Sequence, residues 1–357
     1  MAKHLVFLLH GMGQHPKGWH EPYVAAIKQA YGLYPFIAER PIEERLEFVP
    51  LQYDHIFTEL VTTWDNNAKL VGAAAAELGV PLSKLTKWLA GAGELKDNFA
   101  WTHAADVLLY RCFSLVRNRV CVHVARQITT RIAEQIAASG TCTWSAVAHS
   151  LGTAVLHDTL ARLWQPLGNL PGGLAFAPEN AQAHLLMMVS NVSRVLEVKT
   201  VAEPYDVLQT AVKPGFAGQA GRGCRYYLSV RHRLDPFTVP RMFNPQLWPD
   251  EVALAAKPPR YLGVELEHLH QPDVHDFAHH LLHPAAHIPM LRRVFGSQTV
   301  SDDEERDALA RFRPFGPLED KAAIKIKTEL ESLLPSQADD WLILGTARKS
   351  LNKLLKP

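Results

Sequence analysis

The run Cys142-Thr-Trp-Ser-Ala-Val-Ala-His-Ser150-Leu-Gly152-Thr-Ala-Val155 holds the residue best suited to nucleophilic chemistry. Cys142 to Val147 is a β-prone stretch. Val155, Thr159 or Leu160, and Leu163 then recur at helical spacing, which predicts a strand, a sharp turn and a helix in succession. A serine at such a turn is lifted off the strand end into an exposed, strained position. The residues two places to either side must be small, because strand and helix cross closely there. Ala148 and Gly152 meet that demand. The turn also aims the Leu151 N–H, at the head of the helix, at the place where a negative oxygen would form.

A serine hydroxyl is a weak nucleophile at neutral pH and needs an imidazole beside it. That imidazole needs a carboxylate to fix its tautomer and stabilise its charged form. Candidate imidazoles crowd one segment: His268, His270, His275, His279, His280 and His283. Asp235 is a candidate carboxylate, because it follows a strand-like run and precedes a proline that biases it toward an extended loop. Asp206, after Glu203-Pro204-Tyr205, is the alternative. The same histidines admit a second chemistry, since His275 and His279 are four apart and would put two imidazoles on one helix face as zinc ligands. No glutamate follows His275 in a His-Glu-x-x-His pattern and no third ligand is evident, so no metal and no other cofactor is expected.

These groups need a scaffold, and the hydrophobic pattern supplies one. Lys3 to Leu9 is a continuous apolar run ending in His10-Gly11-Met12-Gly13-Gln14, the pattern of a buried parallel strand followed by a glycine loop. Gly11 and Gly13 let the backbone turn an N–H inward. Tyr23, Ala26, Ile27 and Ala30 predict a helix that Tyr34-Pro35 closes, and Arg45 to Leu51 predicts the next strand. Together they form a βαβ unit of a parallel sheet. From Ile56 to Arg111 the sheet pattern stops and glycine-punctuated helical segments take over, which predicts a helical cap insertion over residues 56–111. Leu85, Trp88 and Leu89 within it either line an acyl pocket or simply pack. Phe113, Val116, Val120, Val124, Ile128, Ile132 and Ile136 mark the buried face of the helix leading into the serine-bearing strand. His184 to Ser190, Arg225 to Val230 and Tyr261 to Leu266 are the remaining strands. Ser301-Asp-Asp-Glu304 is a capping box that opens a helical extension, residues 301–357, packed on a domain of residues 1–300.

Composition narrows the classes. The chain has 357 residues, 47% hydrophobic and 20% charged, enough for one sizeable core with an added subdomain. With 37 basic against 36 acidic residues there is no electrostatic footprint for nucleic acid. The apolar run Leu5 to Leu9 is too short for a signal-peptide core or a bilayer span, so a cytoplasmic location is expected. Cys112, Cys121, Cys142 and Cys224 lack metal-site spacing and read as small hydrophobes, with Cys142 in a core strand. Lysines on the C-terminal extension are expected to sit in water on a docked tail rather than on a membrane surface.

Ala148-His-Ser-Leu-Gly152 resembles the nucleophile elbow of the α/β-hydrolases, in the His-Ser-Leu-Gly form of lipases and esterases, with Ala148 in place of the usual first glycine. The resemblance implies an α/β-hydrolase fold: a mostly parallel central sheet of about six strands with helices on both faces. It implies the order nucleophile, acid, base at the ends of successive strands, which selects Ser150, Asp235 and His275, with His270 and His268 as alternatives for the base. His-Gly-x after the first core strand would supply a second oxyanion donor, the Met12 N–H, beside that of Leu151. His10, Gly11, Gly13 and His149, which flank the two turns, are then candidates for substrate contact. The activity implied is hydrolysis of carboxylic esters, with lipid or other hydrophobic acyl esters favoured and a small-molecule acyl ester as the partner. Thioesters and amides use the same apparatus, and a non-catalytic binding protein on the same fold is the alternative of another class. The oligomeric state is left open.

Overall fold

In the computed structural model the described residues are 2–11, 15–57, 59, 114–163, 182–193, 212–215, 223–235, 237–238, 242–243, 259–271 and 273–314. In chain order the elements are β1 (His4–Leu9), α1 (Glu21–Gly32), α2 (Pro35–Ala38), α3 (Ile42–Arg45), β2 (Leu46–Leu51), α4 (Ser114–Ser139), β3 (Trp144–His149), α5 (Leu151–Leu163), β4 (Ala183–Val189), β5 (Cys224–His232), β6 (Tyr261–Leu266), α6 (Phe277–Leu281), α7 (Pro284–Phe295) and α8 (Asp302–Arg311). The strands form one sheet in the order β2-β1-β3-β4-β5-β6, and every neighbouring pair is parallel. This is an α/β architecture. From β1 the chain first steps one way to β2 and then the other way to β3. The winding therefore reverses between β1 and β3, and the loops leaving those two strands open a crevice at their carboxyl ends.

Alternating side chains of β1 enter two different cores. Leu5, Phe7 and Leu9 pack with Val120, Val124 and Ile128 of α4 and with Val155 and Leu160 of α5. Val6 and Leu8 pack with Ile27 and Tyr31 of α1 and with Ile288 and Leu291 of α7. Both faces of β1 are thus covered, which is why it reads as an unbroken apolar run rather than an alternating one. Each such side chain contributes about 1.5–3 kcal/mol by leaving water. The two ends of this region are stapled on the α1 face. His287 Nδ1–H donates to the Leu281 carbonyl, which leaves Nε2 to accept from the Tyr34 hydroxyl at 2.8 Å.

Several boundaries differ from the sequence reading. β3 starts at Trp144, so Cys142 lies outside the strand and is half-buried, whereas the Cys121 and Cys224 thiols are buried. Pro35 does not merely follow α1. It opens α2, where its missing N–H is harmless because a first-turn N–H has no helical acceptor. The Ser301 capping box is present, with Glu304 N–H donating to Ser301 Oγ at 3.2 Å and Ser301 N–H donating to Glu304 Oε2 at 2.8 Å. α8 buries no residue and is tied to α7 by Arg292, which pairs with Asp302 and Glu305. The cap expected over 56–111 falls almost wholly outside the described residues, Leu85, Trp88 and Leu89 included, as do Asp206 and 315–357. No helix among the described residues is long and apolar enough to cross a membrane.

Candidate active site

Ser150 sits between the end of β3 and the start of α5 with φ of 52°, in the left-handed region that non-glycine residues rarely occupy. Such a conformation costs on the order of 1–3 kcal/mol and persists only where its surroundings hold it. Here the Ser150 N–H donates to the Val189 carbonyl at 3.0 Å, and the Ser150 carbonyl accepts from the Thr153 N–H at 2.9 Å and the Thr153 hydroxyl at 2.6 Å. Thr153 Oγ1 also accepts the Val192 N–H at 3.1 Å, which links the turn to the loop after β4. Leu151 is the first residue of α5, so its N–H has no acceptor within the helix.

The demand for small neighbours is met in atomic terms. A Cβ on Gly152 would press into the His10 carbonyl oxygen and stand 3.0 Å from the Leu9 carbonyl oxygen, both fixed backbone at the end of β1. A Cβ on Gly11 would lie 2.9 Å from Ser150 Cβ and 3.4 Å from its hydroxyl. Gly152→Ala is therefore expected to destabilise the fold by about 1–3 kcal/mol, because β1 and α5 must separate. Equilibrium denaturation checks it, and unchanged stability would mean that the crossing has slack.

Asp235 follows β5 and is fully buried. Its Oδ1 accepts the Phe237 N–H at 3.0 Å, an Asx turn that fixes the carboxylate's direction. His275 lies on the loop between β6 and α6. Its backbone N–H donates to Asp273 Oδ1 at 3.0 Å, and Asp276, the next residue, caps α6 by accepting the His279 N–H at 3.0 Å. His275 Nδ1 is 3.0 Å from both carboxylate oxygens of Asp235, and its Nε2 is 2.8 Å from Ser150 Oγ. A carboxylate only accepts, so Nδ1 carries the proton, and Nε2 is left to accept from the serine hydroxyl. Residues 150, 235 and 275 thus converge at the carboxyl ends of β3, β5 and β6.

The electrostatics suit that arrangement. Burial alone would raise the Asp235 pKa, but the His275 imidazole overrides it and holds the carboxyl at about 2, with the buried Ser190 hydroxyl acting in the same direction. For His275 burial would lower the pKa, yet the Asp235 carboxylate wins and the value lies above 6.5. Phe237 packs its ring 4.5 Å from that imidazole.

The other candidate histidines do not reach Ser150. His270 Nδ1–H donates to the Arg313 carbonyl at 2.9 Å, and His268 is exposed. The geometry assumed for a His275 and His279 metal pair does not arise, because His275 precedes α6 and His279 Nδ1–H donates to the Asp273 carbonyl at 3.0 Å. His280 is fully buried beside Asp235, with burial lowering its pKa to about 4. His10 is also fully buried. Its Nδ1–H donates to the Gly11 carbonyl at 2.9 Å, and its ring is sandwiched between His15 and Tyr53. The Tyr53 hydroxyl donates to the His10 carbonyl at 2.5 Å, so the loop after β1 is held through its own carbonyls. Met12 and Gly13 lie outside the described residues. His149 makes two hydrogen bonds within the protein, to Tyr23 and to the backbone of residue 275. Thr153, Tyr23 and Phe237 escaped the sequence reading; only Thr153, a hydroxyl three residues beyond the serine, carried a local signal. The chain matches no protein-family model and no curated protein.

Proposed function

We propose that this chain is a serine hydrolase of the α/β-hydrolase type that cleaves carboxylic esters, with Ser150 as nucleophile, His275 as general base and acid, and Asp235 as the carboxylate that orients and charges the imidazole. The observation that carries the reading is the continuous relay from Asp235 through His275 to a serine held at positive φ. In this reaction Ser150 Oγ attacks the acyl carbon while His275 Nε2 takes its proton. The carbonyl oxygen becomes an oxyanion held by the Leu151 N–H and, as the resemblance implies, the Met12 N–H, each donor being worth on the order of a hundredfold. The protonated imidazole then gives its proton to the leaving alkoxide oxygen. Water, deprotonated by the same nitrogen, releases the acid from Ser150. Hydrophobic acyl esters are the favoured substrates, in keeping with the resemblance to lipases and with the Phe237 ring against the base.

The test is covalent and kinetic. A fluorophosphonate is expected to label Ser150, and p-nitrophenyl esters of increasing chain length are expected to be hydrolysed with a preference for longer acyl groups. His275→Ala is expected to lose both labelling and turnover, while His279→Ala keeps most of each. A chain that neither labels nor hydrolyses any member of the series overturns the ester-hydrolase reading.

A further inference from the structure

We infer that His149, the residue before the nucleophile, is a positioning residue that fixes the base by holding the main chain of His275. The inference rests on the reading of Ser150 and His275 as nucleophile and base. His149 is the last residue of β3 and is 8% exposed. Its Nε2 lies 2.6 Å from the His275 carbonyl oxygen, and its Nδ1 lies 3.0 Å from the Tyr23 hydroxyl. A carbonyl can only accept, so Nε2 must carry the proton. Burial keeps the ring neutral. Nδ1 is therefore bare and accepts from Tyr23, whose buried phenol is pushed well above its ordinary pKa and stays a donor. The direction of the chain is thus determined: Tyr23 O–H to His149 Nδ1, and His149 Nε2–H to the His275 carbonyl.

The same two side chains grip the segment beyond the base. The Tyr23 ring stacks on Phe277 at 3.9 Å between centroids and 12° between planes, and Phe277 is 1% exposed. The His149 ring stands 6.0 Å from Phe277 at 70° and 4.9 Å from the His275 ring. His275 belongs to neither β6 nor α6; within its own segment Asp273 holds its N–H, while its carbonyl is held from outside by His149. Asp235 and Ser150 hold the imidazole, and His149 and Tyr23 hold the backbone that carries it. With both ring nitrogens engaged by protein, His149 serves the reaction through His275 rather than by touching the acyl ester.

The deciding pair is His149→Gln against His149→Asn. The glutamine amide nitrogen reaches the place of Nε2 and keeps the donor, whereas the asparagine amide stops at the place of Nδ1. His149→Asn, and equally His149→Phe, is expected to lower kcat about tenfold to a hundredfold with KM unchanged, the size expected for a misplaced base. His149→Gln is expected to stay within about threefold of the parent. A readout free of turnover accompanies this: the downfield proton resonance of the His275 Nδ1–H should be sharp in the parent and in His149→Gln, and broadened in His149→Asn. If His149→Asn raises KM at constant kcat, the residue contacts substrate and the inference falls. It falls equally if the two amides behave alike in kcat and in the resonance. Should the parent fail to hydrolyse or label at all, the hydrolase reading is lost, while the resonance in the two amide variants still decides whether His149 holds His275.

Discussion

Ser150→Ala is expected to abolish fluorophosphonate labelling and to lower ester turnover by at least about a thousandfold, leaving only what binding and the oxyanion donors supply. The side chain removed is one oxygen, and the three hydrogen bonds that hold the turn all use backbone atoms of residue 150. Alanine inherits the same positive φ, so the strain is unchanged and the thermal midpoint is expected to move by only a few degrees. Loss of chemistry without loss of fold separates a nucleophile from a packing serine. Turnover that survives the substitution would place the reaction elsewhere.

The second large effect belongs to Asp235. Asp235→Asn is expected to lower kcat/KM by about 10³–10⁴-fold, because an amide can offer N–H to His275 Nδ1 and drive the proton onto Nε2, which can then no longer accept from Ser150. The pH profile gives the sign. His275 acts as a base only when neutral, and its pKa lies above 6.5 because the Asp235 carboxylate outweighs burial. Activity of the parent is therefore lost as pH falls through a value above 6.5. In the variant the largest charge opposing burial is gone and only Asp273 and Asp276 remain against it, so the residual activity should persist to a lower pH than in the parent. Asp235 itself, at about 2, stays ionised throughout and adds no limb of its own. A variant whose profile coincides with the parent's would mean that the carboxylate does not charge this imidazole.

How much of this was legible before the structure depended on whether the signal was local. The central strands β1, β3 and β4 announced themselves as buried runs because both sheet faces are covered there, and the limits of all six strands moved by only a residue or two. Ser150 was legible because the crossing of β1 by α5 leaves no room for a Cβ at 152, a constraint written within five residues. The pairing of Asp235 with His275 was legible only through the order of elements. Nothing in residues 268–283 distinguishes one imidazole from another until Asp273 and Asp276 are seen pinning the loop at 275. The partners of His149 were not legible at all. Tyr23 lies 126 positions before it and the His275 carbonyl 126 after, and no periodicity links such distances. Cys142 was misplaced by β-propensity, which does not say where hydrogen bonding to a neighbour begins.

The hydrogen bond between Tyr34 and His287, with the stack of Tyr23 on Phe277, has a consequence for how the protein is made. Synthesis delivers the serine turn and the glycine that faces it early, whereas the aromatic and imidazole groups that lock α1 down arrive more than a hundred residues later. On the proposed reading, a nascent chain that stops short of the loop before α6 holds Ser150 without its proton acceptor, so the centre can become reactive only after all six strands of the described sheet have been made.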